Sequence, residues 1–245
     1  QPSEFAKVIV VLFIANYFTR RRTKYPLFLF LGLILYLILE QPDLSTSIVI
    51  GFVIAAILFV SDLKIRYFLL IILMLLVIFF VFLELGVINE NQLDRINSYF
   101  MDEDFQQVQS RLLISSGGLF GQYIQLDKVE KIFVPVETTD FIFAAFAYNF
   151  GFVGILLLLS MWFLFFFRLS QIINISNSDF DKYVITGFIS LLAFQIIINI
   201  STITGLLPLT GLPFPLLSLG GSSMVSTAVI FGITNRIFIE NNLVI

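Results

Sequence analysis

The sequence contains neither cysteine nor histidine. Without cysteine there are no disulfide bonds, thiol nucleophiles or thiolate metal sites, and without histidine the usual near-neutral general base and the commonest metal ligand are missing. Any chemistry must therefore come from carboxylates, basic side chains, tyrosines or hydroxyl groups. We predict no metal site, and the net charge of −3 argues against nucleic acid as a partner.

Charge is also scarce, because Asp, Glu, Lys and Arg make up 13% of the 245 residues whereas hydrophobic residues make up 58%. With a mean hydropathy of +0.99, the chain has more apolar surface than one water-soluble core could hide, so a lipid bilayer must act as its solvent. The alternating pattern of a membrane barrel is absent over most of the chain. We therefore predict an all-α fold, a polytopic helical bundle in a membrane.

Seven apolar stretches are separated by charge clusters and by Pro or Gly breaks, and each predicts one transmembrane helix. They span residues 5–19, 26–40, 44–60, 65–88, 140–167, 183–203 and 216–239. Segment 89–139, between the fourth and fifth stretches, is too long to be a simple connection and is therefore expected to be functional. We predict one membrane domain, residues 1–245, with 89–139 as its large loop.

Basic residues collect on one side of the predicted helices, which should be the cytoplasmic side. They are Arg20, Arg21, Arg22, Lys24, Lys64, Arg66, Arg168, Lys182 and Arg236. The acid-rich loop 89–139 should then be extracellular, and the C-terminus should be cytoplasmic. The chain starts at Gln1 without Met or a signal-peptide pattern. A complete protein with a cytoplasmic N-terminus would need an odd number of earlier helices to give this external start. We therefore expect that an N-terminal segment precedes it.

Asp140 lies where a polar loop enters an apolar helix. In a purely structural reading, Thr138 or Thr139 is the N-cap and Asp140 complements the positive end of the helix dipole. In a functional reading, a carboxylate at the outer membrane boundary accepts a proton from an attacking sugar hydroxyl. The position alone leaves both readings open.

Two glycine-rich or proline-rich segments interrupt the apolar pattern. Gly117 and Gly118 would let backbone amides approach a ligand closely, although an ordinary turn uses the same residues. Segment 204–223, which includes Pro208 and Pro213, predicts broken backbone that survives at membrane depth only against protein or a watery cavity. Functional cavity and simple re-entrant packing both fit this segment.

Glu4 and Lys7 are three residues apart, so they share one helical face. They are expected either to neutralise each other inside the bundle or to reach the membrane interface as a pair. Asp43 stands before Leu44 as a good helix cap.

Five collinear segments resemble the SEDS family, the RodA and FtsW type of cell-wall protein. They are Gln1–Lys7, Gln41–Thr46, Gln109–Ser110 together with Gly117–Gly121, Thr139–Ala144, and Gly205–Ser223. Departures from the family pattern include Thr138 in place of a His, and Tyr148 and Asn149 in place of acids. The resemblance implies a ten-helix protein of which this chain would carry helices four to ten.

The resemblance also implies a glycosyltransferase that polymerises lipid II, the undecaprenyl-diphosphate-linked disaccharide peptide, beside a class B penicillin-binding protein transpeptidase. Asp140 matches the family's essential loop aspartate, and its proposed role is to deprotonate the acceptor hydroxyl. The substrate would also be bound by Arg95, Arg111, Gly117, Gly118, Thr139, Ser222 and Ser223. The cavity would be supported by Glu4, Lys7, Asp43, Pro208 and Pro213.

No cofactor is implied, and a divalent cation at the diphosphate is left open. Two other functions compete with polymerisation. The chain could flip lipid-linked precursor across the membrane, since broken helices around a cavity suit a transporter, or it could be a catalytically silent scaffold of the cell-wall machinery. A substitution of Asp140 would discriminate among the three.

Overall fold

A computed structural model describes residues 1–20, 44–61, 105–122 and 140–242. Within those ranges the regular secondary structure is helical and there is no strand, which confirms the predicted all-α class. The helices are α1 (Pro2–Thr19), α2 (Leu44–Val60), α3 (Phe105–Ser116), α4 (Ile142–Ile175), α5 (Asp179–Ile203) and α6 (Gly221–Asn242).

In the described part of the chain, α1, α4, α5 and α6 are long and apolar enough to cross a membrane. The 17 residues of α2 are apolar but fall short of the roughly 20 that a span needs. The predicted stretches 26–40 and 65–88 lie outside the described residues. The number of seven transmembrane helices therefore stays a prediction.

The helix boundaries differ from the predicted stretches where charge or backbone geometry decides them. Helix α4 continues to Ile175 instead of ending at 167, because a charged residue does not interrupt the backbone ladder. Arg168 remains exposed and donates to Gln171 on the next turn at 3.4 Å. Helix α6 begins at Gly221, not at 216, because Leu216 has a left-handed φ of 62°. The predicted broken backbone is confirmed, since 204–220 contains no helix.

The chain divides into two compact units. The first comprises Gln1–Leu93, Arg168–Phe194 and Val225–Ile245, and the second comprises Asp94–Phe167 and Gln195–Met224. In the first unit, Gly187 lets α5 approach α1 and α2 closely. A Cβ at Gly187 would lie 2.6 Å from Val11 Cγ1 and 3.0 Å from Ile57 Cδ1. A larger residue at Gly187 would require the side chains of Val11 and Ile57 to move.

The first unit also contains the Glu4–Lys7 pair. Lys7 Nζ lies 2.8 Å from Glu4 Oε1, and the side chains of Lys7 and Glu4 are 2% and 4% exposed. Ser226 Oγ of α6 donates a long hydrogen bond of 3.5 Å to Glu4 Oε2. The two charges thus neutralise each other in the interior of the first unit. Of the two predicted arrangements, the structure has the pair inside the bundle and not at the membrane interface.

In the second unit, the turn after α3 joins a break in α4. Gly151 has φ 65° and ψ −166°, which interrupts the helix. Backbone bonds from the turn restore the lost pairing: Phe152 N to Gly118 O at 2.9 Å, Val153 N to Leu119 O at 3.0 Å, and Gln122 N to Tyr148 O at 2.9 Å. A Cβ at Gly121 would lie 2.0 Å from Asn149 O. The backbones can meet this closely only because Gly121 has no side chain.

Candidate active site

Asp140 lies two residues before the first residue of α4, Ile142. The carbonyl of Phe141 accepts from Ala144 N at 2.9 Å and from Ala145 N at 3.3 Å. Helix α4 therefore begins directly after Phe141, and Thr138 and Thr139, the predicted N-cap candidates, lie outside the described residues. Asp140 still lies beside the positive end of the helix dipole, where a carboxylate is stabilised.

Asn199 of α5 connects Asp140 to the loop that follows α5. Its Nδ2 donates to the backbone carbonyl of Asp140 at 3.1 Å and to that of Leu212 at 2.7 Å. The residue is 2% exposed. One buried amide group therefore holds two separate stretches of backbone at the entry to α4.

Phe214 fixes the same loop to α4 by aromatic packing. Its ring is fully buried and stacks on Phe143 at 5.6 Å between centroids, and Trp162 meets it edge-on at 6.5 Å. Ser218 Oγ accepts from Phe214 N at 2.8 Å. Trp162 therefore packs inside the second unit.

Asp140 borders a cavity of about 90 Å³ in the second unit. The cavity is lined by Gln106, Asp140, Phe141, Asn199, Thr202, Leu209, Thr210, Gly211 and Leu212. This volume holds a few water molecules or one hydroxyl-bearing edge of a sugar, well below the roughly 300 Å³ of a typical ligand pocket. The cavity therefore suits the reacting part of a substrate and not a whole disaccharide.

The groups around the cavity are polar but mostly uncharged. Among the described lining residues, Asp140 carries the one ionisable side chain. A Cβ at Gly211, whose φ is 65°, would lie 3.7 Å from Asp140 Oδ2. The hydroxyl oxygens of Thr202 and Thr210 lie 3.1 Å apart. A carboxylate in such surroundings can accept a proton from a hydroxyl group that enters the cavity.

Helix α3 caps the C-terminal end of α5. Gln107 Nε2 donates to Thr202 O at 3.0 Å and to Leu207 O at 2.8 Å, and Ser110 Oγ donates to Ile203 O at 2.8 Å. The last carbonyls of a helix have no partner within the helix, so these bonds stabilise its end. They also hold the Thr202 side of the cavity in place.

Arg111 follows this capping face. A Cβ at Gly205 would lie 3.5 Å from Arg111 Nη1. The guanidinium group therefore lies against the bend that follows α5, within the second unit. Its predicted contact with a diphosphate stays a prediction.

The glycines and serines that were predicted to bind substrate occupy different surroundings. A Cβ at Gly117 would lie 2.3 Å from Ala147 O, so the missing side chain serves helix packing, whereas Gly118 faces open space. Ser222 and Ser223 lie in the first turn of α6, where Ser223 Oγ donates to Gly220 O at 3.3 Å. Among the predicted site residues that are described, Asp140 is the one that lines the cavity.

Of the remaining predicted residues, the structure describes Pro208 and Pro213. Pro208 O accepts from Thr202 Oγ1 at 3.4 Å, and Pro213 precedes the buried Phe214. Asp43, Arg95 and Thr139 lie outside the described residues. The roles assigned to all of them stay predictions.

The sequence reading assigned no role to Gln107, Asn199, Thr202 and Thr210. The sequence of α5 contains a pattern that could have identified Asn199 and Thr202. Gln195, Asn199 and Thr202 are polar residues in an otherwise apolar run, spaced so that they share one helical face. Asn, Gln and Thr side chains inside a transmembrane helix commonly make hydrogen bonds to other segments, and Asn199 and Thr202 line the cavity.

A family model described as a cell cycle protein, FtsW/RodA/SpoVE, matches residues 1–243. The chain is 28% identical over 244 residues to the probable peptidoglycan glycosyltransferase FtsW of Geobacter metallireducens. That alignment covers 95% of this chain and 65% of the relative, so this chain spans slightly less than two thirds of the relative's length.

Two solved structures have a similar fold. One comes from work on the structural coordination of polymerization and crosslinking by a peptidoglycan synthase complex; its TM-score is 0.77 at 27% identity, over 98% of this chain and 70% of that one. The other is the rod shape determining protein RodA of Thermus thermophilus, with a TM-score of 0.65 at 27% identity, over 96% and 64%. The chain is thus a multi-pass protein of the bacterial inner membrane, and it belongs to the FtsW/RodA/SpoVE family.

Proposed function

We propose that this chain belongs to a peptidoglycan glycosyltransferase that polymerises lipid II on the outer face of the membrane during cell elongation or division. One observation carries the proposal. The carboxyl group of Asp140 borders a small cavity whose other described side chains are amides, hydroxyls and apolar groups. The relatives' names and the family membership support this reaction type.

The reaction needs one base and no covalent intermediate. The 4-hydroxyl of the acceptor GlcNAc gives its proton to the Asp140 carboxylate while its oxygen attacks the anomeric carbon of the donor MurNAc. The bond from that carbon to the diphosphate breaks, and polyprenyl diphosphate leaves with the bonding electrons. Removal of the hydroxyl proton in the transition state contributes about 10² to 10⁴ in rate for such general-base steps.

Other parts of the second unit would handle the rest of the substrate. Arg95 and Arg111 would bind the diphosphate oxygens, since guanidinium groups match them with paired hydrogen bonds. The lipid-linked sugars would contact Gly117, Gly118, Thr139, Ser222 and Ser223. The position of Arg111 against Gly205, beside the end of α5, supports this part of the proposal.

The proposed arrangement in the membrane is one domain, residues 1–245, with seven transmembrane helices, an extracellular loop at 89–139 and a cytoplasmic C-terminus. The distribution of Lys and Arg supports it. Pro208 and Pro213 would support the wall of the cavity in the second unit, and the structural role of Glu4, Lys7 and Asp43 in the first unit stays a proposal. A class B penicillin-binding protein is the proposed partner, supported by the likeness to a chain of a peptidoglycan synthase complex.

Polymerisation by the purified full-length protein with its transpeptidase tests the function. The parent should form glycan chains from lipid II, and Asp140→Ala should lower the rate by about 10²-fold or more. Asp179→Asn is the matched control, because Asp179 is an exposed carboxylate that pairs with Lys182 at 3.8 Å in the first unit. A parent that moves lipid II across vesicles without joining it would instead identify a flippase, and a parent that does neither would identify a scaffold.

A further inference from the structure

Among the described residues, the side-chain amide of Asn199 has hydrogen-bond partners for its nitrogen but none for its oxygen. Its Nδ2 makes two hydrogen bonds, at 3.1 Å to Asp140 O and at 2.7 Å to Leu212 O. Its Oδ1 is buried and accepts no hydrogen bond in the part of the chain that the structure describes. A buried amide oxygen without a donor lowers the stability of the folded protein. Stability alone therefore does not explain why an asparagine occupies this position.

The two carbonyl acceptors fix the orientation of this amide. If the group were rotated by half a turn, Oδ1 would face two carbonyl oxygens and both hydrogen bonds would be replaced by repulsion. The unpaired Oδ1 is therefore the consequence of holding both carbonyls with one NH₂ group. Asn199 is 2% exposed, which leaves the amide little room for another position.

The two held carbonyls belong to the residues that set the direction of the Asp140 carboxyl group. One is the carbonyl of Asp140 itself, and the other belongs to Leu212, the neighbour of Gly211. Gly211 lies against Asp140 Oδ2, since a Cβ there would be 3.7 Å away. The stacking of Phe143 on Phe214 joins the same two segments through side chains, whereas the Asn199 amide binds the Asp140 peptide directly.

We infer that Asn199 is a positioning residue for the base: its NH₂ group fixes the Asp140 peptide against the Leu212 peptide, so that the carboxylate points into the cavity. This inference rests on the proposed function, because it assigns Asn199 an effect on proton removal. A shift of about 1 Å in a catalytic group can lower a rate about 100-fold. In this role Asn199 acts through the peptide of Asp140.

Two substitutions separate positioning from packing. Asn199→Leu keeps a similar volume while removing the donor and the unpaired acceptor together. It leaves the carbonyls of Asp140 and Leu212 without this donor, so the protein should stay folded with a modestly lower Tm. Its kcat should fall by about 10- to 100-fold with an unchanged KM. Asn199→Asp keeps the shape but has no NH₂ group, and its kcat should fall in the same way.

Asn241→Leu is the matched control. Asn241 Nδ2 also makes two hydrogen bonds, to Asp181 Oδ2 at 3.1 Å and to Ile237 O at 2.9 Å, but it does so in the first unit. Both Leu variants therefore lose an amide group that makes two hydrogen bonds, but Asn241→Leu keeps the hydrogen bond to the Asp140 peptide. The control should retain the kcat of the parent.

Hydrogen exchange provides a readout that does not need activity. In the full-length protein, Asn199→Leu should speed the exchange of backbone amides in residues 140–146, and Asn241→Leu should leave them at the parent rate. If the parent makes no polymer, the proposed function fails and exchange alone decides the positioning. Unchanged exchange and kcat in Asn199→Leu would overturn the inference. So would the loss of folded protein in both Asn199 variants, which would make the residue structural only.

Discussion

At the scale of single residues, the interior of the first unit contains a charge pair that no water can reach easily. Lys7 and Glu4 form an ion pair of 2.8 Å with both side chains almost fully buried. Desolvation makes such a pair a poor source of net stability, but either charge alone in the same place would be far worse. The pair should therefore tolerate joint replacement better than the loss of one member.

We expect Glu4→Gln to lower the free energy of unfolding by about 3 to 5 kcal/mol, because the buried charge of Lys7 loses the carboxylate that lies 2.8 Å from it. The double variant Glu4→Gln with Lys7→Met should recover much of that loss. Glu240→Gln, which removes the exposed partner of Arg236, is the control and should change stability by about 1 kcal/mol or less. Denaturant unfolding in detergent measures all three, and a Glu4 variant as stable as the control would contradict the account.

Which residues could be identified from sequence depended on what they bind. The spacing of Glu4 and Lys7 already predicted that they share a helical face, and the resemblance singled out Asp140. Gln107 and Asn199 were not identified, because their partners are backbone carbonyls of distant segments. A carbonyl belongs to every residue type, so such a bond leaves no pattern in the sequence.

At the scale of elements, backbone contacts hold the turn after α3 to the break in α4. Two glycines allow this contact: Gly121, where a Cβ would lie 2.0 Å from Asn149 O, and Gly151, where a Cβ would lie 2.3 Å from Gly121 N. The atoms in the way are backbone atoms, which cannot rotate aside. The contact between this turn and α4 should therefore be disrupted when either glycine gains a side chain.

We expect Gly121→Ala to destabilise the protein by about 2 kcal/mol or more, from its positive φ and from the clash with the α4 backbone. The control is Gly232→Ala in α6, where a Cβ would meet nothing within 4 Å. That variant should leave the Tm unchanged or raise it slightly, since Ala favours helices over Gly. A Gly121→Ala variant with the same Tm as the parent would show that the contact between the turn and α4 can adapt to a side chain.

Patterns of Pro and Gly predicted the broken segment after α5, but hydrophobic periodicity did not reveal α3. The reason lies in the buried face of α3, which consists of Gln107, Ser110 and Leu113. Two of these three residues are polar, because that face binds the carbonyls at the end of α5. A short helix that packs through hydrogen bonds has no apolar stripe to detect.

At the scale of the whole molecule, the distribution of Lys and Arg supports the proposed orientation in the membrane. The proposed arrangement puts α3 on the extracellular side and the start of α5 in the cytoplasm. Asp140 should then open to the outer face of the membrane, where the proposed reaction takes place. An opposite orientation would put the carboxyl group on the wrong side of the membrane for the proposed reaction.

Cysteine labelling can test this orientation cleanly, because residues 1–245 contain no cysteine to give a background. Ser115 is exposed on α3 and Asp179 is exposed at the start of α5. We expect a membrane-impermeant maleimide to label Ser115→Cys in intact cells, and to label Asp179→Cys after permeabilisation only. The reverse pattern would contradict the proposed topology.

The central claim is that the Asp140 carboxylate removes the proton from the acceptor hydroxyl. The single-turnover rate of glycosyl transfer, measured on full-length Asp140→Asn with lipid II already bound, tests this claim most directly. We expect lipid II binding to persist, because the amide has the same shape, while the rate of bond formation falls by about 10² to 10⁴. A single-turnover rate equal to that of the parent protein would contradict the claim.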